Sequence, residues 1–318
     1  MSEGECKRMQ QTMSKIFFAT LFMPCILTAE LVRINFSVVD DTGRPLPEAV
    51  VEYYTEGKIL APYKKAPTQN FTCKTDETGR AVERFECWDG YVHCHLKKDG
   101  YYPMDVRDIS FGANYDARTG KTSFSTNCQA VAVVLKKVRN PVRMVHHRGW
   151  KGDIRLPSNK GVWGFDLEAF DWVLPYGTGR IADFVVQYER VENDDESRTK
   201  GCLLFPESYS GAYLKKKDAC KSFPIDYMVD SNMTFVARYE FESSYNKRDK
   251  TYFDKRIAEK DEYLVVRSRV KVDDQGVVKK ANYSHIQGPI GIGRYFTITD
   301  CYFNPRENDQ NLEYIFDR

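Results

Sequence analysis

Short segments that join an alternating strand to a glycine turn constrain the fold of this chain more than any other feature. Residues 31–39 alternate apolar and polar side chains, as a half-buried strand does. Asp-Asp-Thr-Gly at 40–43 and Asp-Glu-Thr-Gly at 76–79 are turn sequences, because glycine adopts a positive φ without steric cost. Lys-Asp-Gly at 98–100 ends a further predicted strand. These signals predict a small all-β module in the N-terminal part of the chain.

The order of these motifs resembles that of a known family. Asp-x-x-Gly-x-Pro-Leu-x-x-Ala-Val at 40–50, Thr-Asp-x-x-Gly-x-Ala at 75–81 and Lys-x-Gly-Tyr at 98–101 look like the carboxypeptidase regulatory-like domain, a transthyretin-like β-sandwich. The resemblance covers about residues 31–140, within a predicted domain of residues 30–140, and implies an accessory or binding module of exported bacterial proteins. Residues 109–127, rich in Gly, Asn, Ser and Thr, depart from the family pattern and are predicted to form an inserted loop.

The rest of the chain is also predicted to be mostly β, so the predicted fold class is all-β. A boundary is expected near Asn140 and Pro141, and residues 141–318 are predicted to form a larger β-sandwich or jelly-roll-like domain. The helix signals in this half are short, such as the one at residues 253–260. This half loosely resembles uncharacterised β-rich regions that follow such sandwiches in exported bacterial proteins. The motifs that carry this likeness lie at 164–166, 171–179, 304–305 and 311–313.

Residues 1–29 have the order of a secretory signal peptide. Basic residues precede an apolar run at 16–27, and Thr28-Ala29 offers a small-residue cleavage site. Pro24 before Cys25 argues against a lipoprotein anchor at that cysteine. No later stretch is apolar enough to span a membrane, so the mature chain is predicted to be secreted or periplasmic without a transmembrane span. The formal net charge is only +2 in 318 residues, so no global electrostatic field attracts nucleic acid, and no nucleic-acid partner is predicted.

Cysteine usage adds a second expectation for an exported chain. The chain has nine cysteines, and removing Cys6 and Cys25 with the signal leaves an odd number. Cys202 and Cys220 flank one loop-rich stretch and are predicted to pair as a disulfide.

A cluster of aromatic and acidic residues is the strongest ligand signal in the sequence. Trp163, Asp171, Trp172 and Tyr176 fall close together among Gly and Pro residues. Exposed rings offer a flat apolar face to sugars, and neighbouring carboxylates bond hydroxyl groups. These four residues are therefore the predicted carbohydrate-binding site. The competing interpretation is that the tryptophans fill a core, as they mostly do in sandwiches.

Two other patterns bear on chemistry. His93 and His95 would share one face of a strand, where a third ligand could complete a metal site, but an outward polar face is the favoured interpretation. No metal or cofactor is therefore predicted. Four acids are the candidates for a carboxylate-based catalytic site: Asp166, Glu168, Asp171 and Asp183.

The function predicted from these signals is that of an exported, non-enzymatic binding or structural protein of the bacterial envelope, with carbohydrate recognition as its most specific form. Its partner is then a carbohydrate or another envelope protein. The alternative prediction is a glycan- or peptide-processing hydrolase with a carboxylate-based site in residues 141–318.

Overall fold

The computed structural model describes residues 30–55, 59–61, 64–65, 68–87, 90–116, 118, 121–148, 154–293 and 295–315. Within these ranges the chain is all-β and contains no helix, which confirms the predicted fold class. The helix signal at 253–260 is wrong, because this segment starts inside a strand, Tyr252–Lys255. No helix able to cross a membrane occurs in the described ranges. The predicted signal peptide, with Cys25, lies outside the described residues.

The chain divides into two compact units, Met1–Lys136 and Lys137–Arg318. The strands of the first unit are β1 Glu30–Asp40, β2 Val50–Thr55, β3 Ile59–Ala61, β4 Lys64–Lys65, β5 Gln69–Lys74, β6 Arg80–Cys87, β7 Tyr91–Lys97, β8 Met104–Ser110, β9 Ala113–Asp116, β10 Lys121–Phe124 and β11 Cys128–Leu135.

Two sheets form the sandwich of the first unit. One has the order β11-β1-β6, in which β1 runs parallel to β11 and antiparallel to β6. The other has the order β5-β2-β7-β8. The alternation along β1 is as predicted, since every second residue is buried in one apolar core shared by both sheets. The buried positions of β1 are Val32, Ile34, Phe36 and Val38.

Turn chemistry fixes the connections of this sandwich. Asp40 Oδ1 accepts hydrogen bonds from the amides of Thr42 and Arg44 at 2.8 and 2.9 Å, which closes the turn after β1. Gly79 has a φ of +71°, and a Cβ there would lie 2.4 Å from the carbonyl oxygen of Val38. Both the backbone angle and the close approach therefore require glycine at position 79.

The segment 109–127 is more ordered than the predicted inserted loop. It begins with the end of β8 and then contains the antiparallel hairpin of β9 and β10, in which Asn114 pairs with Ser123. Polar strands such as these carry no strong periodic pattern, which is why the sequence favoured a loop.

The strands of the second unit are β12 Val145–Arg148, β13 Ile154–Arg155, β14 Lys160–Asp166, β15 Asp171–Trp172, β16 Phe184–Glu192, β17 Glu196–Leu204, β18 Gly211–Lys216, β19 Arg238–Asn246, β20 Tyr252–Lys255, β21 Glu262–Val272, β22 Val278–Ile292 and β23 Tyr295–Asn304. Asn140 and Pro141, at the predicted boundary, belong to this unit.

These strands form two six-stranded sheets. Sheet one has the order β15-β14-β16-β17-β19-β20, and sheet two has the order β12-β23-β22-β21-β18, with β13 also pairing to β23. A single buried core takes residues from both sheets, including Phe165 and Phe184 of sheet one and Phe296 of sheet two. Their rings meet edge to face at 5.4 and 5.9 Å. The unit is thus a larger sandwich with an aromatic core.

Candidate functional site

The two tryptophans of the predicted carbohydrate site are in the core. Trp163 is 4% exposed and Trp172 3% exposed. Trp172 packs edge to face on Phe165 at 5.2 Å, and its indole N–H donates to the carbonyl oxygen of Arg155 at 2.8 Å. Neither ring presents a face to a ligand, so the use of these indoles as sugar platforms is corrected in favour of core packing.

The other two predicted ligand residues, Asp171 and Tyr176, have different environments. Asp171 closes the turn that follows it, because its Oδ1 accepts from the amide of Trp172 and its Oδ2 from the amide and hydroxyl of Thr178, each at 2.8 Å. Tyr176 is 58% exposed. Of the predicted set, only the Tyr176 ring is therefore open to solvent.

Three of the four candidate catalytic acids surround one arginine. The guanidinium of Arg269 donates to Asp183 at 2.9 Å, to Glu168 at 2.6 Å and to Asp166 at 3.0 Å. Ser268 donates a further hydrogen bond to Asp183 at 2.6 Å. The arginine also lies over the ring of Phe303. We call the five polar residues Arg269, Asp166, Glu168, Asp183 and Ser268 the arginine cluster.

Burial and hydrogen bonding set the acidity within the arginine cluster. Burial raises the pKa of Asp183, although Arg269 and Ser268 act against it. Burial would also raise the pKa of Asp166, but hydrogen bonds from the amides of Arg180, Ala169 and Ile181 hold it below its ordinary value. The predicted acids thus stabilise loops and neutralise an arginine. They do not form the free carboxylate pair that the hydrolase prediction needs.

The predicted disulfide is not formed. Cys202 and Cys220 are both free thiols. Cys202 is buried on β17 in sheet one, with its sulfur 3.6 Å from Oε1 of Gln187. Cys220 is exposed in the connection between β18 and β19. Cys220 lies in the loop-rich stretch expected from the sequence, whereas the burial of Cys202 within a sheet was not expected.

His93 and His95 lie on β7, each beside an acid or an aromatic ring. His95 Nδ1 is 2.8 Å from Asp105 Oδ1. The ring of His93 stacks on Tyr54 at 5.0 Å. In the described part of the chain, no group of three or more His, Cys, Asp or Glu side chains could hold a metal ion.

One histidine of the second unit is buried without any polar partner. His285 lies on β22, fully buried, and neither ring nitrogen has a hydrogen-bond partner. Its ring stacks on Tyr302 at 4.6 Å and meets Tyr314 at 5.4 Å. Burial lowers the pKa of His285 to about 3, with smaller contributions from His146 and Lys217. The side chain is therefore neutral at ordinary pH and acts as an aromatic core residue.

An open pocket with an exposed aromatic ring lies between the edge strand β20 and the ends of β22 and β23. Its volume is about 330 Å³. Tyr252, Asp254 and Arg256 line one wall, and the first two share a face because strand side chains alternate. Gly291 and Gly293 line the opposite wall. We call this the tyrosine pocket.

The polar groups of the tyrosine pocket are held in place. Tyr252 is 65% exposed. Arg256 Nε donates to Asp254 Oδ2 at 2.5 Å, and this hydrogen bond raises the pKa of Arg256. Burial raises the pKa of Tyr252, and Asp254 adds to the effect. A Cβ on Gly293 would meet no atom within 4 Å, so the space above this wall is open.

The sequence contains a strand signal for one wall of this pocket, although a short helix is predicted there. Tyr252, Asp254 and Arg256 recur at every second position, which is the strand period, whereas the segment was interpreted as a short helix. Of the glycines near this wall, Gly288 and Gly291 lie within β22, which ends at Ile292.

Comparison with known proteins gives matches among solved structures alone. No family model matches the chain, and no curated protein matches it. Among solved structures, 3-chlorocatechol 1,2-dioxygenase from Rhodococcus opacus 1CP is 15% identical, over 35% of this chain and 62% of that chain, with a TM-score of 0.25. Hydroxyquinol 1,2-dioxygenase from Pseudomonas putida DLL-E4 is 12% identical, over 36% and 58%, with a TM-score of 0.25.

An intradiol ring-cleavage dioxygenase from Tetranychus urticae is 12% identical, over 36% of this chain and 84% of that chain, with a TM-score of 0.23. The chain spans about three fifths of the length of the two bacterial enzymes. All three structures are enzymes, and this finding corrects the prediction of a non-enzymatic binding or structural protein. TM-scores this low assign neither the dioxygenase activity nor its substrates to this chain.

Proposed function

We propose that the second unit binds a carbohydrate in the tyrosine pocket. Carbohydrate binding there makes no statement about whether the protein has enzymatic activity. The single observation that carries it is the exposed ring of Tyr252 beside the hydrogen-bonded pair of Asp254 and Arg256.

The aromatic ring supplies the apolar half of the interaction. One face of a sugar ring is lined with C–H groups, which pack on an aromatic face and remove both from water. Tyr252 lies on β20, the edge strand of sheet one in the part of the chain that the structure describes. An exposed tyrosine in a concave site is the arrangement that this contact requires.

The ion pair supplies the polar half. A carboxylate accepts hydrogen bonds through two oxygens, and a guanidinium offers five donors in a fixed plane. Asp254 and Arg256 are locked to each other, so little side-chain entropy is lost when neighbouring sugar hydroxyls bind to both. Ser243 and Thr297 add hydroxyl groups to the lining.

The size of the pocket limits the ligand. A volume of about 330 Å³ is near the lower end of the range for small-molecule sites, roughly 300 to 1,000 Å³. We therefore expect the pocket to hold one or two sugar rings of a longer chain, whose other rings extend into solvent over Gly293.

Glycan-array binding of the mature protein, followed by calorimetric titration of the best ligand, tests the proposal. We expect Tyr252→Ala to weaken binding at least about tenfold, because the loss of one stacked aromatic contact is a loss of about 1.4 kcal/mol or more. Asp254→Asn should weaken binding as well, because it breaks the charged pair that orients Arg256.

Tyr176→Ala is the matched control, since Tyr176 is similarly exposed and belongs to the site predicted from sequence. It should leave the affinity unchanged. The absence of binding to any glycan, or loss of binding in Tyr176→Ala with full binding in Tyr252→Ala, would overturn the proposal.

We also propose that the protein is exported to the periplasm or beyond and that its first unit is a carboxypeptidase regulatory-like domain. Support comes from the signal-like order of residues 1–29 and from the motifs at 40–50 and 75–81. N-terminal sequencing of protein from the periplasm or medium should begin at Glu30. Protein retained in the cytoplasm with residues 1–29 intact would contradict export.

A further inference from the structure

A second, more polar pocket of the same unit contains two arginines. Its volume is about 690 Å³, and it lies between the segment 155–159, the strand β16 and Tyr295 at the start of β23. Arg155 and Arg190 line it together with one acid, Glu192. The described lining therefore carries two guanidinium groups against one carboxylate. We call this the arginine pocket.

Arg190 is held rigidly in the arginine pocket. Its side chain is 17% exposed, and one terminal nitrogen donates to Glu192 at 2.6 Å. Its backbone amide donates to the carbonyl oxygen of Asn159 at 2.7 Å, which ties β16 to the other wall of the pocket. Because the guanidinium has five N–H donors and Glu192 occupies few of them, others remain available in a fixed plane.

The phenol of Tyr188 supports this arginine. Its hydroxyl donates to the carbonyl oxygen of Gly293 at 2.8 Å, which fixes the ring. Burial raises the pKa of Tyr188, and hydrogen bonds with Thr199 and Arg190 act in the opposite direction. The guanidinium of Arg190 is thus near the Tyr188 oxygen as well as Glu192, and neither contact depends on a ligand.

Arg155 contributes a second positive charge to the pocket. It is exposed, and within the described ranges it makes no ion pair. It lies on β13, where it pairs with Tyr295 of β23. Of the two cations in this pocket, Arg190 is therefore partly compensated by Glu192, and Arg155 has no ion-pair partner among the described residues.

We propose that the arginine pocket binds an oxyanion, that is, a carboxylate, sulfate or phosphate group of a small ligand. Guanidinium groups recognise these anions through parallel N–H···O bonds, and the excess positive charge of the lining attracts them. This inference does not depend on carbohydrate binding, since Tyr252, Asp254 and Arg256 do not line the arginine pocket.

Thermal unfolding of the full chain in sodium sulfate, phosphate, acetate or chloride, at matched ionic strength, tests the proposal. A ligand that binds only the folded state raises the midpoint as its concentration rises. We expect at least one oxyanion to raise the midpoint beyond chloride. Arg155→Gln and Arg190→Gln should each weaken the fitted affinity about tenfold, as expected for the loss of one charge-assisted contact.

Sulfate and phosphate also stabilise proteins generally, so a matched variant is needed. Arg198→Gln removes an exposed arginine that pairs with Glu242 on sheet one and does not line the arginine pocket. It should keep the wild-type response to each anion. Comparing the three anions shows whether a planar carboxylate or a tetrahedral group is preferred.

Equal responses of wild type, Arg155→Gln, Arg190→Gln and Arg198→Gln would overturn the proposal. If Arg190→Gln fails to fold, the exposed Arg155→Gln still decides the question. Tyr252→Ala should keep the anion response, so a failure of carbohydrate binding leaves this test intact. Loss of the anion response in Tyr252→Ala would instead assign it to the tyrosine pocket and count against the arginine pocket.

Discussion

Two buried polar regions of the second unit differ in how their groups are satisfied. In the arginine cluster, Arg269 donates to three carboxylates and Ser268 donates to Asp183. Around His285, both ring nitrogens are buried without a partner. In the first region each charged group takes part in hydrogen bonds, whereas the second avoids charge because His285 remains neutral.

The comparison teaches that the same sandwich uses polar residues in two ways. A buried ion cluster costs desolvation, and its members become interdependent because removal of one leaves another charge uncompensated. A buried neutral histidine behaves as an aromatic residue whose ring nitrogens have no hydrogen-bond partner. Substitutions in the first region should therefore lower the free energy of unfolding, whereas substitutions in the second should leave it unchanged or raise it.

Loss of the arginine should have the largest effect. Arg269→Met leaves Asp183 buried beside Asp166 and Glu168 without a counter-charge, so we expect the free energy of unfolding to fall by about 3–5 kcal/mol. Urea denaturation measures it. Arg198→Met, which breaks only the exposed pair with Glu242, should cost less than about 1 kcal/mol. Similar costs for both variants would show that the cluster is not interdependent.

Acid should act on the second region through His285. Its folded pKa of about 3 lies below the ordinary histidine value of 6.5, so below pH 6.5 the unfolded chain takes up a proton that the folded chain does not. Stability is therefore lost as the pH falls from 6.5 towards 3. Between pH 7 and pH 5, this histidine should cost about 2 kcal/mol of unfolding free energy.

His285→Phe should remove that contribution and keep the stacking on Tyr302. Urea denaturation at several pH values measures the difference between the variant and the wild type. His146→Phe is the control, because its ring also stacks on Tyr302 but is partly exposed and paired with Asp300. The same pH dependence in wild type and His285→Phe would contradict the proposed neutrality of His285.

Local signals explain how much of the fold the sequence predicted. The strand β1, the turn at 40–43 and Gly79 depend on residues close in the chain, so alternation and turn chemistry revealed them. The fate of the four acids could not be predicted in this way. Asp183 and Asp166 meet Arg269 across 86 and 103 residues, and no local pattern marks that arginine as their partner.

The errors at the predicted ligand site arose because the sequence does not show which face of a strand is buried. Trp163 and Trp172 lie on short strands whose neighbours are Gly, Asp and Pro, so the sequence did not show which face would be buried. Tyr252 was missed because the sequence did not show that its strand lies at the edge of a sheet. Its segment alternates as a strand, but its position at a sheet edge depends on the pairing of β20 with β19.

A serine of the arginine cluster provides a smaller test of the same comparison. Ser268 is buried on β21 and its hydroxyl donates to Asp183 at 2.6 Å. Ser268→Ala should lower the unfolding free energy by about 1.5–3 kcal/mol, as expected for a hydrogen bond to a charged group. Chemical denaturation measures the loss. In an Arg269→Met background the effect should change in size, since both residues serve the same carboxylate.

A second serine, on the neighbouring strand, should show the smallest effect and the opposite sign. Ser284 of β22 is as buried as Ser268, but its hydroxyl has no hydrogen-bond partner. Ser284→Ala removes an unsatisfied polar atom and one small volume, so we expect a change between zero and a gain of about 1 kcal/mol. The same denaturation experiment compares the two alanine variants directly. A loss at Ser284 as large as that at Ser268 would mean that burial, and not pairing with a charge, decides what a serine contributes to this core.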